Sequence, residues 1–122
     1  MEVRSRGQAK AFTTLDGSTI RVLLDAALGG AANQSLAEAE LAAGHATERH
    51  YHGRSEEIYV FLEGGGEMEV DGESREVVTG DAVLIPAGAW HRIVAGAEGA
   101  RFLCCCAPPY ADEDTFFGTV GA

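Results

Sequence analysis

Residues 48–64 read ERHYHGRSEEIYVFLEG, with His50 and His52 one residue apart and Glu57 five positions further on. Imidazoles and carboxylates bind transition metals and move protons, so the stretch can do chemistry if its side chains converge. Residues i and i+2 diverge on a helix but share one face of a strand. A His-x-His pair taken alone is usually surface or core decoration. Whether this stretch is an ordinary half-buried strand or the edge of a metal site turns on whether the chain returns a further ligand to that face.

The elements that must do the positioning are short and numerous. Turn signals recur at LDGS 15–18, LGGAAN 28–33, AAG 42–44, EGGGE 63–67, VDGE 70–73, VTGD 78–81, IPAGA 85–89 and AGAEGA 95–100, separating runs rich in Val, Ile, Leu, Phe and Tyr. This spacing predicts an all-β sandwich or barrel with strands at 18–24, 34–41, 46–52, 57–63, 66–71, 74–78, 82–86, 90–95 and 100–107. The clearest hairpin is EMEVDGESREVV, where Asp71-Gly72 suits a two-residue primed turn. Met68 and Val70 there alternate with Glu67, Glu69 and Asp71. SLAEAELAA at 35–43 has helical propensity, yet its small residues at 35, 37 and 39 also fit a barrel interior, and it is read as a strand.

A chain of 122 residues with 46% apolar content fits one domain, 1–122, with an N-terminal strand segment 18–24, a core about 34–107 and a tail 108–122. Phe116 and Phe117 are the tail's expected anchor on the barrel. Nineteen acidic against nine basic residues give a net charge of -10, which argues against nucleic acid and anionic membranes as partners. MEVRSRGQAK lacks the apolar core of a secretion signal, and no apolar run approaches the ~18 residues of a membrane span, so a cytoplasmic location is expected. Cys104, Cys105 and Cys106 are consecutive. On a strand, Cys104 and Cys106 stand about 6.6 Å apart, the far edge of disulfide range, so a bridge is disfavoured.

Two blocks give the histidines a context. The first runs Gly44, five residues, His50, Tyr51, His52, four residues, Glu57, six residues, Gly64; the second runs Gly80, five residues, Pro86, Ala87, Gly88, two residues, His91. The pair resembles the two signature motifs of the cupin superfamily, and residues 65–79 between them match its short intermotif hairpin. One departure is Ala95, where the second motif usually closes with Asn. The resemblance covers about 34–107 and implies a double-stranded β-helix, or jelly-roll barrel, holding one metal on His50, His52, Glu57 and His91.

The residues read by themselves agree. Gly53–Glu56 turns the chain so that Glu57 opens a strand pointing the same way as His50 and His52, and Pro86 and Gly88 shape the turn that delivers His91. Three imidazoles and a carboxylate suit Fe, Mn, Ni, Cu or Zn, and a six-coordinate ion would keep two positions for water or substrate. His45 and Glu56 fall on the wrong face. The glutamates at 38, 40, 67, 69, 73 and 76 are assigned to solvated faces.

Extending the inward parity places Tyr59, Phe61, Ile93, Phe102, Cys104 and Cys106 in the pocket lining, with Arg101, Leu103 and Cys105 outward. Cys104 is either a metal-proximal thiol or, as a buried Cys commonly is, a small apolar filler. Arg21 is the one cation expected near a pocket mouth. Three functions follow: an oxidative, dioxygenase-like enzyme acting on a small-molecule substrate, which is favoured; a non-oxidative metalloenzyme catalysing isomerisation, cyclisation or rearrangement of a small polar metabolite; and a binding or sensing module. The outward apolar Ile58, Val60 and Leu62 are consistent with a homodimer.

Overall fold

A computed structural model describes residues 1–118. Its strands are β1 (Phe12–Thr13), β2 (Thr19–Leu24), β3 (Ser35–Leu41), β4 (His50–His52), β5 (Glu56–Val70), β6 (Glu73–Val77), β7 (Ala82–Ile85), β8 (His91–Ala107) and β9 (Thr115–Phe117), with 3-10 turns at Arg6–Gln8 and Asp112–Asp114. Every strand pairing is antiparallel, in the order β1-β2-β3-β8-β4-β9, with β5 pairing β6, β7 and β8. β8 is the spine: its second half pairs β3 on one side and β5 on the other, so the sheet curls into a jelly-roll. No helix among the described residues is long and apolar enough to cross a membrane.

β3 is a strand over its whole length, and Ser35, Ala37 and Ala39 do line the interior. The Asp71-Gly72 hairpin also forms, with φ of 48° and 82° at its two central residues, as a primed turn requires. Inside, Phe61 and Phe102 face each other across β5 and β8 with ring centroids 5.0 Å apart, alongside the fully buried Ile85 and Ile93.

Several boundaries differ from expectation. EGGGE and AGAEGA do not end strands; both run on as bends within single long strands, β5 and β8. Register shifts at Phe61/Glu63 and Gly64/Gly66 absorb the bend. The reason is close approach: a Cβ on Gly64 would lie 2.0 Å from the Gly99 carbonyl oxygen, and one on Gly66 2.0 Å from that of Val94. Glycine here lets two backbones pass and does not turn the chain back.

The expected strand 46–52 shrinks to β4, with Ala46 making only an isolated bridge to Val94. β1 and β9 are strands the sequence did not reveal. β9 pairs β4, so the tail enters the sheet rather than merely covering it. Phe116 stacks on Tyr51 at 5.0 Å but stays exposed, as does Phe117. Residues 119–122 of the expected tail lie outside the described residues.

Glu38 does not sit on a solvated face. It is buried, and its carboxylate is held by Arg6 at 2.9 Å and Arg101 at 3.2 Å. The N-terminal turn folds over that side of β3 and supplies Arg6, which a pattern confined to the strand could not show. Burying a carboxylate is tolerable only with such partners.

Candidate metal centre

Three residues of β4 suffice to set His50 and His52 on one buried face, with the half-buried Tyr51 on the other. His50 pairs in register with His91, the first residue of β8. The ring centroids of His50 and His91 stand 4.2 Å apart, and one nitrogen from each of His50, His52 and His91 falls within 4.8 Å of the others. Glu57 Oε1 lies 3.3 Å from His52 Nε2 and 3.4 Å from His91 Nε2.

The outer ring nitrogens fix which way the lone pairs point. His50 Nδ1 is 2.7 Å from the Glu48 carbonyl, and His91 Nδ1 is 3.0 Å from that of Ala89. A carbonyl only accepts, so each Nδ1 carries the proton and each Nε2 presents a lone pair inward. His52 Nδ1 lies 3.2 Å from Thr115 Oγ1, whose own proton goes to the Ala111 carbonyl at 3.0 Å. That leaves Oγ1 accepting, and His52 takes the same tautomer.

Burial and the neighbouring His91 hold His50 down at about 4, so it is a neutral donor at pH 7. Glu57 Oε1 stands beside two of the three inward nitrogens, and it and His91 Nε2 are buried without a hydrogen-bond partner. Orphaned buried polar atoms are rare and need a reason. A divalent cation is what this donor set lacks, and the residues present fit one.

The framework around these groups comes partly from where the sequence was silent. Gly88, at φ 80°, donates its N–H to the His52 carbonyl at 2.7 Å, tying the Pro86–Gly88 turn to β4. The buried Asp114 accepts from the backbone N–H groups of Arg54 and Ser55, which holds the loop joining His52 to Glu57. Cys106 Sγ donates to Glu57 Oε2 at 3.2 Å, orienting the carboxylate. Burial pushes the Cys106 thiol well up, with Glu57 beside it adding to the effect, so the proton it donates stays in place.

A cavity of about 350 Å³ opens beside His50 and His52, within the range of small-ligand sites. Of the expected lining residues, Tyr59, Phe102, Cys104 and Cys106 border it together with His50, His52 and Glu57. Phe61 and Ile93 do not: they are fully buried in the apolar cluster that also holds Tyr59 and Phe102. Arg21 does not stand at the pocket mouth. Its neighbours Ile20 and Val22 face the cavity, which turns Arg21 outward to pair with Glu40 at 3.6 Å.

His45 and Glu56 are exposed as expected, and the three cysteines are free. Burial raises Tyr59 and Cys104 well above their ordinary values, so both keep their protons. Lining residues missed from sequence include Asp16, whose Oδ2 is 3.9 Å from His50 Nε2, and Tyr110. Only the LDGS turn signal marked the first of these, and nothing marked the second.

Comparison with known proteins agrees with this architecture. The family model described as a cupin domain matches residues 37–106. An uncharacterized protein of Methanocaldococcus jannaschii, MJ1618, is 46% identical over 107 residues, covering 87% of this chain and 86% of that one. The dimethylsulfoniopropionate lyase DddW of Ruegeria pomeroyi is 38% identical over 82 residues, 67% of this chain but only 53% of the lyase. Among solved structures, the polyketide cyclase RemF from Streptomyces resistomycificus superposes with a TM-score of 0.77 at 30% identity, covering 93% of this chain and 89% of the cyclase. With the curled sheet, the inward histidines and the matched domain in agreement, the chain belongs to the cupin family.

Proposed function

We propose that the protein is a metal-dependent enzyme that performs non-oxidative chemistry, such as elimination, cyclisation or isomerisation, on a small molecule. The observation that carries this is the buried cluster of His50, His52 and His91, with the orphaned Glu57 Oε1 beside two of them, at the wall of a substrate-sized cavity. His50, His52, His91 and Glu57 would hold one divalent transition ion, of the set Fe, Mn, Ni, Cu or Zn. When bound, that ion would act as a Lewis acid on a substrate oxygen.

The chain's own groups suit that work. Tyr59, kept protonated by burial, offers a hydrogen-bond donor in the cavity wall. Asp16 turns Oδ2 toward His50 while its Oδ1 is fixed by the Ser18 N–H at 2.9 Å and the Ser18 hydroxyl at 2.6 Å. The lyase and the cyclase among the relatives support the non-oxidative side over the dioxygenase-like reading favoured from sequence. Turnover assayed anaerobically on protein loaded with Zn(II) or Mn(II) tests it: activity should persist, whereas strict dioxygen consumption would restore the oxidative reading.

Thr115 should matter to the centre without touching the ion. Thr115→Val removes the acceptor that fixes the His52 tautomer, and metal affinity is expected to fall about 10–100-fold, read by competition with a chromophoric chelator. Thr115→Ser should restore it. Unchanged affinity in Thr115→Val would dismiss this positioning role.

A further inference from the structure

We propose that the cavity accepts a small organic cation, an alkylammonium-type group on an apolar body, with the charged end set against Asp16, Asp25 and Asp112. The inference rests on reading this cavity as the substrate site. Among the described residues four carboxyl groups border it, those of Asp16, Asp25, Glu57 and Asp112, and no Lys or Arg does. Arg4 donates to the Leu23 carbonyl, Arg21 pairs with Glu40, Arg54 with Asp114, and Arg101 with Glu38 and Glu63. An anionic substrate would leave water for a wall of like charge with no counter-ion, which is strongly unfavourable. A bound divalent ion would offset two of the four carboxylates and still leave the wall net negative.

The remaining wall fits the other half of such a ligand. Phe12, Tyr59, Phe102 and Tyr110 line the same cavity, and aromatic faces combined with carboxylates are how proteins recognise alkylammonium groups. Asp112 is braced by the Tyr110 hydroxyl at 2.8 Å, as Asp16 is by Ser18. Glu57, whose unpartnered Oε1 belongs to the candidate metal centre, also lines this cavity, so that centre opens into the same space as the acidic rim. The three rim carboxyls come from the β1–β2 turn, the end of β2 and the second 3-10 turn, all outside the 37–106 stretch matched by the domain model. The metal shell thus comes from the matched core, and the three rim carboxyls from segments beyond it.

Calorimetric titration of the metal-loaded and the metal-free protein with three matched probes tests the proposal: choline, its neutral carbon isostere 3,3-dimethylbutan-1-ol, and the anion 3,3-dimethylbutanoate. Choline should bind at least about tenfold tighter than the carbon isostere, the anion should bind weakest, and the preference should shrink as salt rises. Asp112→Asn and Asp16→Asn should each reduce choline's advantage while leaving the isostere's affinity in place. Asp112 is the safer variant, because Asp16 also holds its turn through Ser18. Equal binding of choline and the isostere, preference for the anion, or binding of none of the three would overturn the inference. Metal content measured on the same samples separates the two readings: a loaded centre without cation preference defeats only this proposal, and a cation preference without a loaded centre defeats only the metalloenzyme.

Discussion

His91→Ala is expected to empty the centre. Native protein should carry close to one ion per chain by elemental analysis, and the variant, after dialysis, below about a tenth of that. Losing an outer partner of a metal ligand weakens binding about 10–100-fold, and losing a ligand itself should cost more. The sheet should survive the change, because His91 pairs with His50 through its backbone and β8 remains anchored along β5 and β3. The deleted ring is 1% exposed, so some destabilisation will accompany the loss. His91→Gln, which keeps bulk and polarity, guards against confusing misfolding with lost ligation and should also lose the ion. His45→Ala is the converse control: that histidine is exposed, and its removal should leave metal content unchanged. Full metal retention in both His91 variants would remove His91 from the shell.

The contrast between His91 and His45 reflects what was legible in the sequence. Strand parity plus motif spacing distinguished one histidine from the other, and Glu57 from its exposed neighbour Glu56, because a side-chain period of two is a local property of the backbone. Likewise Asp71-Gly72 announced its hairpin, since few dipeptides tolerate two consecutive positive φ angles. The glycine runs were harder. At 63–67 and 95–100 the same residue type that elsewhere reverses the chain serves close backbone passage between β5 and β8, and only the partner strand tells the two uses apart.

What the sequence did not show is what depends on distant segments meeting. Thr115 reaches His52 across 63 positions, Asp114 caps the backbone of Arg54 across 60, and Arg6 neutralises Glu38 across 32. None of these residues belongs to a periodic pattern, so no local rule marks them. The same holds for Asp16, which ordinary turn chemistry accounts for fully until the cavity beside it is seen. Phe61 and Ile93 show the opposite limit: parity correctly turned them inward, but it cannot say how far along a strand the cavity ends and the packed core begins.

Removing the ion should lower the melting temperature by about 15 °C. A ligand present at about 1,000 times its dissociation constant stabilises the fold by about 4 kcal/mol, and in a domain of this size each kcal/mol is worth about 4 °C. The structure gives this loss a location. Without an ion, three imidazole lone pairs and a carboxylate face one another in a buried space, and Glu57 Oε1 and His91 Nε2 have no partner. Two of these imidazoles, His50 and His52, stand on β4, only three residues long and held on one edge by the equally short β9. Chelator-treated protein should therefore show early hydrogen exchange at His50–His52 and Thr115–Phe117, while the β5–β8 pairing stays protected. Re-adding one equivalent of Zn(II) or Mn(II) should restore both the melting temperature and the protection. An unchanged melt after verified removal of the ion would mean that the converging donors are satisfied by something other than a metal.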